Sequence, residues 1–298
     1  MIQVCNIERF ATHDGEGIRS VIFFQGCPLR CPWCANPESQ EMYTQLLYDQ
    51  KKCVLCHTCE RSCQQNAISF KNDQFHWDKT HCIACKTCED ECLQEAISFV
   101  GKAMSVEDIM VEIRKDRAYY EASNGGVSIS GGEAFMQFDA LMELLKVCKS
   151  EGYNVCMETC GQVSLEHLKE ASPYIDTYYF DVKHVDEKKY QEVVKGNLEI
   201  VQYNLNYLTQ KYHEKVVFRI PVIPGFNYEE KVLCAILDLA KDKKVKEVHF
   251  LPYHTLGKIK YDKLLREYPY TQQMLNEKDL FKYVKIAQEK GICLKIGG

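Results

Sequence analysis

The sequence predicts an α/β protein built on a parallel sheet, with a small cysteine-rich insertion in its first third. Three observations carry the prediction. Apolar, strand-like runs alternate with amphipathic helical stretches along most of the chain. Between about Lys51 and Ile97 that alternation gives way to a segment holding eight cysteines. The 298 residues, 46% hydrophobic and 27% charged, are enough for one large barrel-like core that uses most of the chain.

Strands are expected at Ser20–Phe24, Val127–Ser130, Asn154–Glu158, Thr177–Val182, Val216–Val222 and Glu247–Leu251. Helices are expected at Ser105–Ser123, Phe138–Ser150, Leu165–Ala171, Leu198–Tyr212 and Tyr228–Lys241. Ser105 with Asp108 reads as a helix start, and Gly152 as a stop. In parallel sheets flanked by helices, functional side chains gather at the carboxyl ends of the strands. The expected organisation is a main α/β domain over residues 1–49 and 101–298, interrupted by an insert over 50–100.

The net charge of −5 gives no bulk electrostatic case for nucleic acid. No apolar run of ~18 residues is present to span a membrane, and the first residues lack the pattern of a signal peptide. A cytoplasmic location is therefore expected. Disulfides explain 17 cysteines poorly in a reducing compartment, and metal binding explains them better. Exposed iron–sulfur sites would suit a cell living with little oxygen.

Cys27, Cys31 and Cys34 form a C-x3-C-x2-C pattern. Three thiolates at this spacing can hold three irons of a 4Fe–4S cluster, leaving the fourth iron open for chemistry. The insert carries Cys53, Cys56, Cys59 and Cys63, followed 29 residues later by Cys82, Cys85, Cys88 and Cys92. This is an internal repeat of C-x2-C-x2-C-x3-C, the run found in bacterial two-cluster ferredoxins, whose fourth cysteine serves the other cluster. The expected sets are Cys53, Cys56, Cys59 and Cys92 for one cluster, and Cys82, Cys85, Cys88 and Cys63 for the other. The proline usual after the fourth cysteine is replaced by Gln64 and Leu93. A zinc module is the competing reading, but zinc ligands come as separated C-x2-C pairs rather than clustered quartets. Fully ligated clusters would relay electrons.

Several motifs fall where the predicted strands end. Gly131-Gly132-Glu133 combines close backbone approach with a carboxylate that can accept from an ammonium group, although the same triplet commonly makes a plain turn. Glu158 opens Glu158-Thr159-Cys160-Gly161, and Asp181-Val182-Lys183 puts a cation at the next strand end. Charged strand ends are often simply solvated, but three in succession argue for a site. Arg219 lies inside an apolar run, where a charge needs a partner or a wet cavity, and its plain alternative is a structural ion pair. His254 follows the last expected strand. His13-Asp14-Gly15-Glu16-Gly17 reads by itself as a glycine-rich turn.

Taken together, these motifs and Leu251-Pro252-Tyr253-His254-Thr255-Leu256-Gly257 make nearly the whole chain resemble the glycyl-radical-enzyme activating enzymes of the radical S-adenosylmethionine (SAM) superfamily. Similarity is greatest to the subgroup with two extra 4Fe–4S clusters. The resemblance implies a partial (β/α)6 barrel with a ferredoxin-like insert, three 4Fe–4S clusters, SAM and a monovalent cation. It implies that SAM chelates the open iron. It further implies that Gly131, Gly132 and Glu133 hold the SAM amino group, that Lys183 meets its carboxylate, and that Trp33, Asn36 and His254 flank the adenosine. Glu158 and Asp181 match carboxylates contacting SAM or the cation. Asp14 and Arg219 match positions near the incoming glycine loop and on the rim. The implied activity is that of an oxidoreductase of the pyruvate formate-lyase activating type (EC 1.97.1.4), acting on a partner glycyl radical enzyme. Flavodoxin or ferredoxin is the implied electron donor, and the implied state is a monomer. Glu16 and Ala134 replace prolines common in the family, and Glu158 replaces an aspartate of a relative. Two further readings stay open on the residues alone: a radical SAM enzyme acting on a small molecule or another peptide, and an electron-transfer protein whose sheet is only a scaffold.

Overall fold

The computed structural model of the chain describes residues 1–297. Its strands, in chain order, are β1 (Ile2–Ala11), β2 (Arg19–Phe24), β3 (Gln45–Tyr48), β4 (Ile68–Lys71), β5 (Gln74–Trp77), β6 (Ile97–Val100) and β7 (Lys102–Met104). They continue with β8 (Gly126–Gly131), β9 (Asn154–Thr159), β10 (Thr177–Asp181), β11 (Val216–Val222), β12 (Glu247–Pro252) and β13 (Cys293–Ile296). Nine of them form one sheet in the order β13-β12-β11-β10-β9-β8-β2-β1-β7. From β2 through β8 to β13 every neighbouring pair is parallel; β1 pairs antiparallel with both β2 and β7.

All six expected parallel strands are present, and β13 adds a seventh. It is short and partly exposed throughout, so it offers no apolar run to read. β1 escaped notice for a related reason: most of its residues are half-buried or exposed, and it carries Asn6, Glu8 and Arg9. The helices Phe138–Ser150, Leu165–Ala171 and Leu198–Tyr212 fall where expected. The single helix expected over Ser105–Ser123 is instead two, Val106–Arg114 and Arg117–Ser123. Asp116 sits at the break, fully buried, and accepts from Arg9 Nε at 2.7 Å and Ser20 Oγ at 3.2 Å. A buried carboxylate tied to two strands fixes the turn against the helical period.

One face of the parallel sheet is apolar and carries helices. β11 shows the logic: Val216, Phe218, Ile220 and Val222 are buried, while Val217, Arg219 and Pro221 between them are not. Successive side chains point to opposite faces, so Arg219 lies on the face away from the helices. Strand register puts it level with Asp181. The apolar set joins one extended core with Val127, Ile129, Val155, Met157, Tyr178, Phe180, Val248 and Phe250.

A second, separate core holds Leu46, Tyr48, Cys59, Ile68, Phe75, Cys88 and Ile97. β3 pairs with β6 and β4 with β5, both antiparallel. This unit reaches back to Gln45, ahead of the boundary expected at residue 50. It is fastened to the main body by Arg266, whose Nη2 donates to Gln45 Oε1 at 2.7 Å, and by a 3.2 Å Lys263–Asp49 ion pair.

Candidate active site

The loop carrying Cys27, Cys31 and Cys34 leaves the carboxyl end of β2. Gly26 adopts φ +94°, and its N–H donates to Ser39 O at 2.8 Å, while the Cys27 N–H donates to Gln40 O at 3.1 Å. Further on, Arg30 N–H donates to Val194 O at 2.9 Å. The three thiols are partly enclosed, and burial pushes those of Cys27 and Cys31 up to about 12 and that of Cys34 to about 11. A ligated iron reverses that preference, because a coordinating thiol is held as thiolate.

The next strand end closes on this loop. Gly132 N–H donates to Phe24 O at 2.9 Å, and Glu133 N–H to Gly26 O at 2.7 Å. A Cβ on Gly132 would stand 2.7 Å from Ser39 O and collide with Gly26 O. The glycine is therefore required for the approach of β8's end to the cysteine loop. Glu133 is fully buried, and burial raises its pKa. Its Oε2 accepts from Cys160 N–H at 2.8 Å and Thr159 Oγ1 at 2.9 Å, whereas Oε1 has no partner. A buried carboxylate oxygen left unpaired costs free energy that a ligand cation would recover.

The charged strand ends converge. Glu158 accepts from Ser130 Oγ and is paired with Arg219, whose guanidinium lies 5.2 Å from the ring centroid of Tyr179. Burial raises the pKa of Glu158, as it does for Asp14 nearby; Arg219 opposes that effect in both. Burial works against the charge of Arg219, but Glu158, Asp181 and Asp14 outweigh it. Lys183 is buried, and its Nζ donates to Asp181 Oδ2 at 2.6 Å. Burial disfavours its charge, yet Asp181 and the thiol of Cys31 raise its pKa on balance. Glu133 and Lys183 are buried, and Asp14, Glu158, Asp181 and Arg219 half-buried. The carboxylates of Glu158, Asp181 and Asp14 gather around Arg219, while Glu133, Asp181 and Lys183 are the members that lie by the cysteines.

On the far side of the cysteine loop, Trp33 is buried against Phe226 and Tyr270, with ring centroids 4.7 and 5.5 Å away. Asn36 Oδ1 accepts from Lys260 Nζ at 2.7 Å. His254 is exposed, and its segment returns to the cysteine loop: a Cβ on Gly257 would stand 2.7 Å from Cys34 O. Trp33, Asn36, Gly131, Gly132, Glu133, Lys183 and His254 therefore lie at the carboxyl ends of the strands, with Glu158 and Asp181 closing β9 and β10. Arg219, by contrast, lies in the middle of β11, and Asp14 precedes β2, its carbonyl accepting from Ser128 Oγ at 2.5 Å. A cavity of about 310 Å³, lined by Arg19, Asn154 and Lys246 among others, opens at the opposite ends and holds none of the six charged groups above. Four residues drawn into the site carry no sequence signal of their own: Ser130, Tyr179, Lys260 and Tyr190. Tyr190 is fully buried, with its hydroxyl unpartnered. Helical spacing makes it look like an ordinary core residue.

In the second unit the eight cysteines line two cavities. Cys53, Cys56, Cys59 and Cys92 border one, of about 430 Å³; Cys63, Cys82, Cys85 and Cys88 border the other. The two halves repeat each other's hydrogen bonds. Leu55 N–H and Ala84 N–H donate to Cys53 Sγ and Cys82 Sγ at 3.4 Å; Ala67 N–H and Ala96 N–H donate to Cys63 Sγ and Cys92 Sγ at 3.3 Å. Leu55, His57, Ala84 and Lys86 all take positive φ between 52° and 66°, which non-glycine residues rarely adopt. Such backbone persists where surrounding structure demands it, commonly at functional sites.

Residues 21–237 match the radical SAM superfamily. The chain is 38% identical over 299 residues to the trans-4-hydroxy-L-proline dehydratase activating enzyme of Clostridioides difficile, covering 99% of both chains. It is 36% identical to the choline trimethylamine-lyase activating enzyme of Oleidesulfovibrio alaskensis, covering 89% of this chain and 88% of that one. The SAM-bound structure of Streptococcus suis SuiB shares the fold, with TM-score 0.52 and 16% identity over 66% of this chain and 44% of that one. The chain belongs to the radical SAM superfamily and, within it, to the activating enzymes of glycyl radical enzymes.

Proposed function

We propose that this activase uses the strand-end constellation to hold SAM against a 4Fe–4S cluster on Cys27, Cys31 and Cys34, and that residues 45–100 form a ferredoxin-like module with two further clusters. The observation that carries the SAM site is the unpaired Oε1 of buried Glu133. Among the described residues this oxygen beside the cysteine loop meets no hydrogen-bond donor, and the ammonium of SAM would supply one. With the cluster on Cys27, Cys31 and Cys34 and SAM beside it, the site would supply reductive cleavage of the sulfonium and, from it, hydrogen-atom abstraction from a glycine of the partner enzyme.

The chain's own residues supply position and charge balance. Glu133 and the carbonyls around Gly131 and Gly132 receive the amino group, and Lys183 exchanges part of its pairing with Asp181 for the SAM carboxylate. Trp33, Asn36 and His254 border the adenosine. Glu158, paired with Arg219, and Asp181 leave carboxylate oxygens for SAM or a monovalent cation. Asp14 would lie near the incoming glycine loop, and Arg219 on the rim. On the sheet itself, Glu158, Asp181 and Arg219 share the face turned away from the helices, which supports this reading. The two cysteine-lined cavities and their N–H···S bonds support the module's clusters, which pass electrons from flavodoxin or ferredoxin. The partner would be a pyruvate formate-lyase-like glycyl radical enzyme, and the protein acts as a monomer in the cytoplasm.

Anaerobic reconstitution with iron, sulfide, reductant and SAM tests this. The expected result is 5′-deoxyadenosine formation, lost in Cys31→Ala, and a glycyl-radical EPR doublet on the partner. SAM cleavage with no doublet on any glycyl radical enzyme encoded beside this chain would refute the activase role.

A further inference from the structure

The two halves of the cysteine-rich unit repeat their cysteines and their backbone hydrogen bonds at an offset of 29, which makes corresponding positions comparable. Beyond the bonds to sulfur, Phe70 N–H and Phe99 N–H both donate to the Oε1 of Glu60 and Glu89 at 3.2 Å, and Cys56 and Cys85 both lie 3.4 Å from the hydroxyls of Thr58 and Thr87. The last residue of the strand before each cysteine run differs. It is Tyr48 in the first half and Trp77 in the second.

Tyr48 is buried, stacks on Phe75 at 4.1 Å and lines the first cavity together with Cys53. Trp77 packs on the same core and pairs with Ile68, which lines the second cavity. Its indole Nε1 is sealed from solvent and has no acceptor. Indole N–H is a donor only, so what this position lacks is an acceptor, and water cannot reach it to serve. Stranding a buried donor costs free energy comparable to a lost hydrogen bond. The sulfurs of a cluster on Cys63, Cys82, Cys85 and Cys88 are the acceptors a filled site would provide.

We infer that Trp77 is a positioning and tuning residue that donates its indole N–H to a sulfur of that cluster, and that Tyr48 does the same with its hydroxyl for the cluster on Cys53, Cys56, Cys59 and Cys92. The inference rests on the two-cluster reading of this unit. A donor to sulfur stabilises the extra negative charge of the reduced cluster, so removing it lowers the potential. The halves use donors of different chemistry on otherwise matched backbones, which makes the two clusters separately adjustable.

The test is an EPR-monitored redox titration of the full-length reconstituted protein without SAM, comparing Trp77→Phe and Tyr48→Phe with the parent. Trp77→Phe is expected to make one cluster about tenfold harder to reduce, 59 mV for a one-electron couple, leaving the other unmoved. Tyr48→Phe is expected to shift the other cluster instead. Trp77→Tyr, which restores a donor, should return the potential toward the parent value and serves if the Phe variant fails to hold its cluster. Unchanged potentials in Trp77→Phe, equal shifts of both clusters, or no recovery in Trp77→Tyr would overturn the inference. Iron content separates this from failure of the two-cluster reading: a parent protein that binds iron for only one cluster would refute that reading itself.

Discussion

Replacing Glu133 with Gln separates the two demands on this side chain, because the substitution should push stability and ligand affinity in opposite directions. Gln preserves shape. Its oxygen can take over the role of Oε2, accepting from Cys160 N–H and Thr159 Oγ1, now at 2.8 and 2.9 Å. Its amide then occupies the place of the unpaired Oε1. A donor there faces the SAM ammonium in place of an anionic acceptor. The loss of one charge-assisted hydrogen bond, about 1.5–3 kcal/mol, corresponds to about 10- to 150-fold weaker SAM binding. Stability goes the other way. Burial raises the folded pKa of Glu133 above its unfolded value. The fold therefore favours the neutral acid, and that contribution is complete below the ordinary Glu range and lost as pH rises through the folded pKa. Gln imitates the neutral form at every pH. Without SAM, Glu133→Gln should melt higher than the parent at neutral and alkaline pH, and the difference should shrink toward acid. Anaerobic calorimetric titration with SAM and a thermal-melt series across pH are the assays. Unchanged SAM affinity, or a lower melting point at alkaline pH, would refute the reasoning.

Cys31→Ala should abolish SAM cleavage and, on the three-cluster reading proposed above, remove only about a third of the bound iron; iron analysis beside product assay checks this. Arg219→Ala strands Glu158 among Asp14 and Asp181 and should cost about 3–5 kcal/mol at neutral pH. Because the unpaired Glu158 then takes up a proton more readily, the penalty should grow with pH, as read by urea denaturation, and adding Glu158→Gln should recover much of it. Gly132→Ala forces a methyl against Gly26 O and Ser39 O and should cost about 1–3 kcal/mol as overpacking, with reduced iron at the Cys27–Cys34 loop as its visible effect. In the cysteine-rich unit, Cys92→Ala should disturb the cluster that includes Cys53 rather than the one that includes Cys88, a point that Mössbauer spectra of each variant would decide.

Much of this protein was legible in its sequence because the relevant signals are local. Thiol spacing needs no tertiary knowledge. The apolar runs of the six central strands are strong because parallel strands covered by helices must be apolar on that face. Cysteine quartets at an offset of 29 residues announce a duplicated unit by themselves. The motifs at strand ends could be listed, and the rule placing function at carboxyl ends made them candidates.

What the sequence could not decide depends on distant pairings. β13 and β1 are strands because neighbours pair with them, not because their own residues insist on it. The break at Asp116 follows from Arg9, over a hundred positions away, donating into a buried carboxylate. The partner of Arg219 turned on the pleat: alternation along β11 puts it on the polar face, level with Asp181 and paired with Glu158. Tyr190 and Trp77 look in sequence like ordinary core aromatics, and only packing shows that one hydroxyl and one indole N–H are buried without partners. The duplicated cysteine runs and the sheet class were legible along the chain, because they follow from spacing and periodicity. Tertiary structure alone decided which charges meet and which polar atoms are left waiting for a ligand, because burial and pairing are set by residues far apart in sequence.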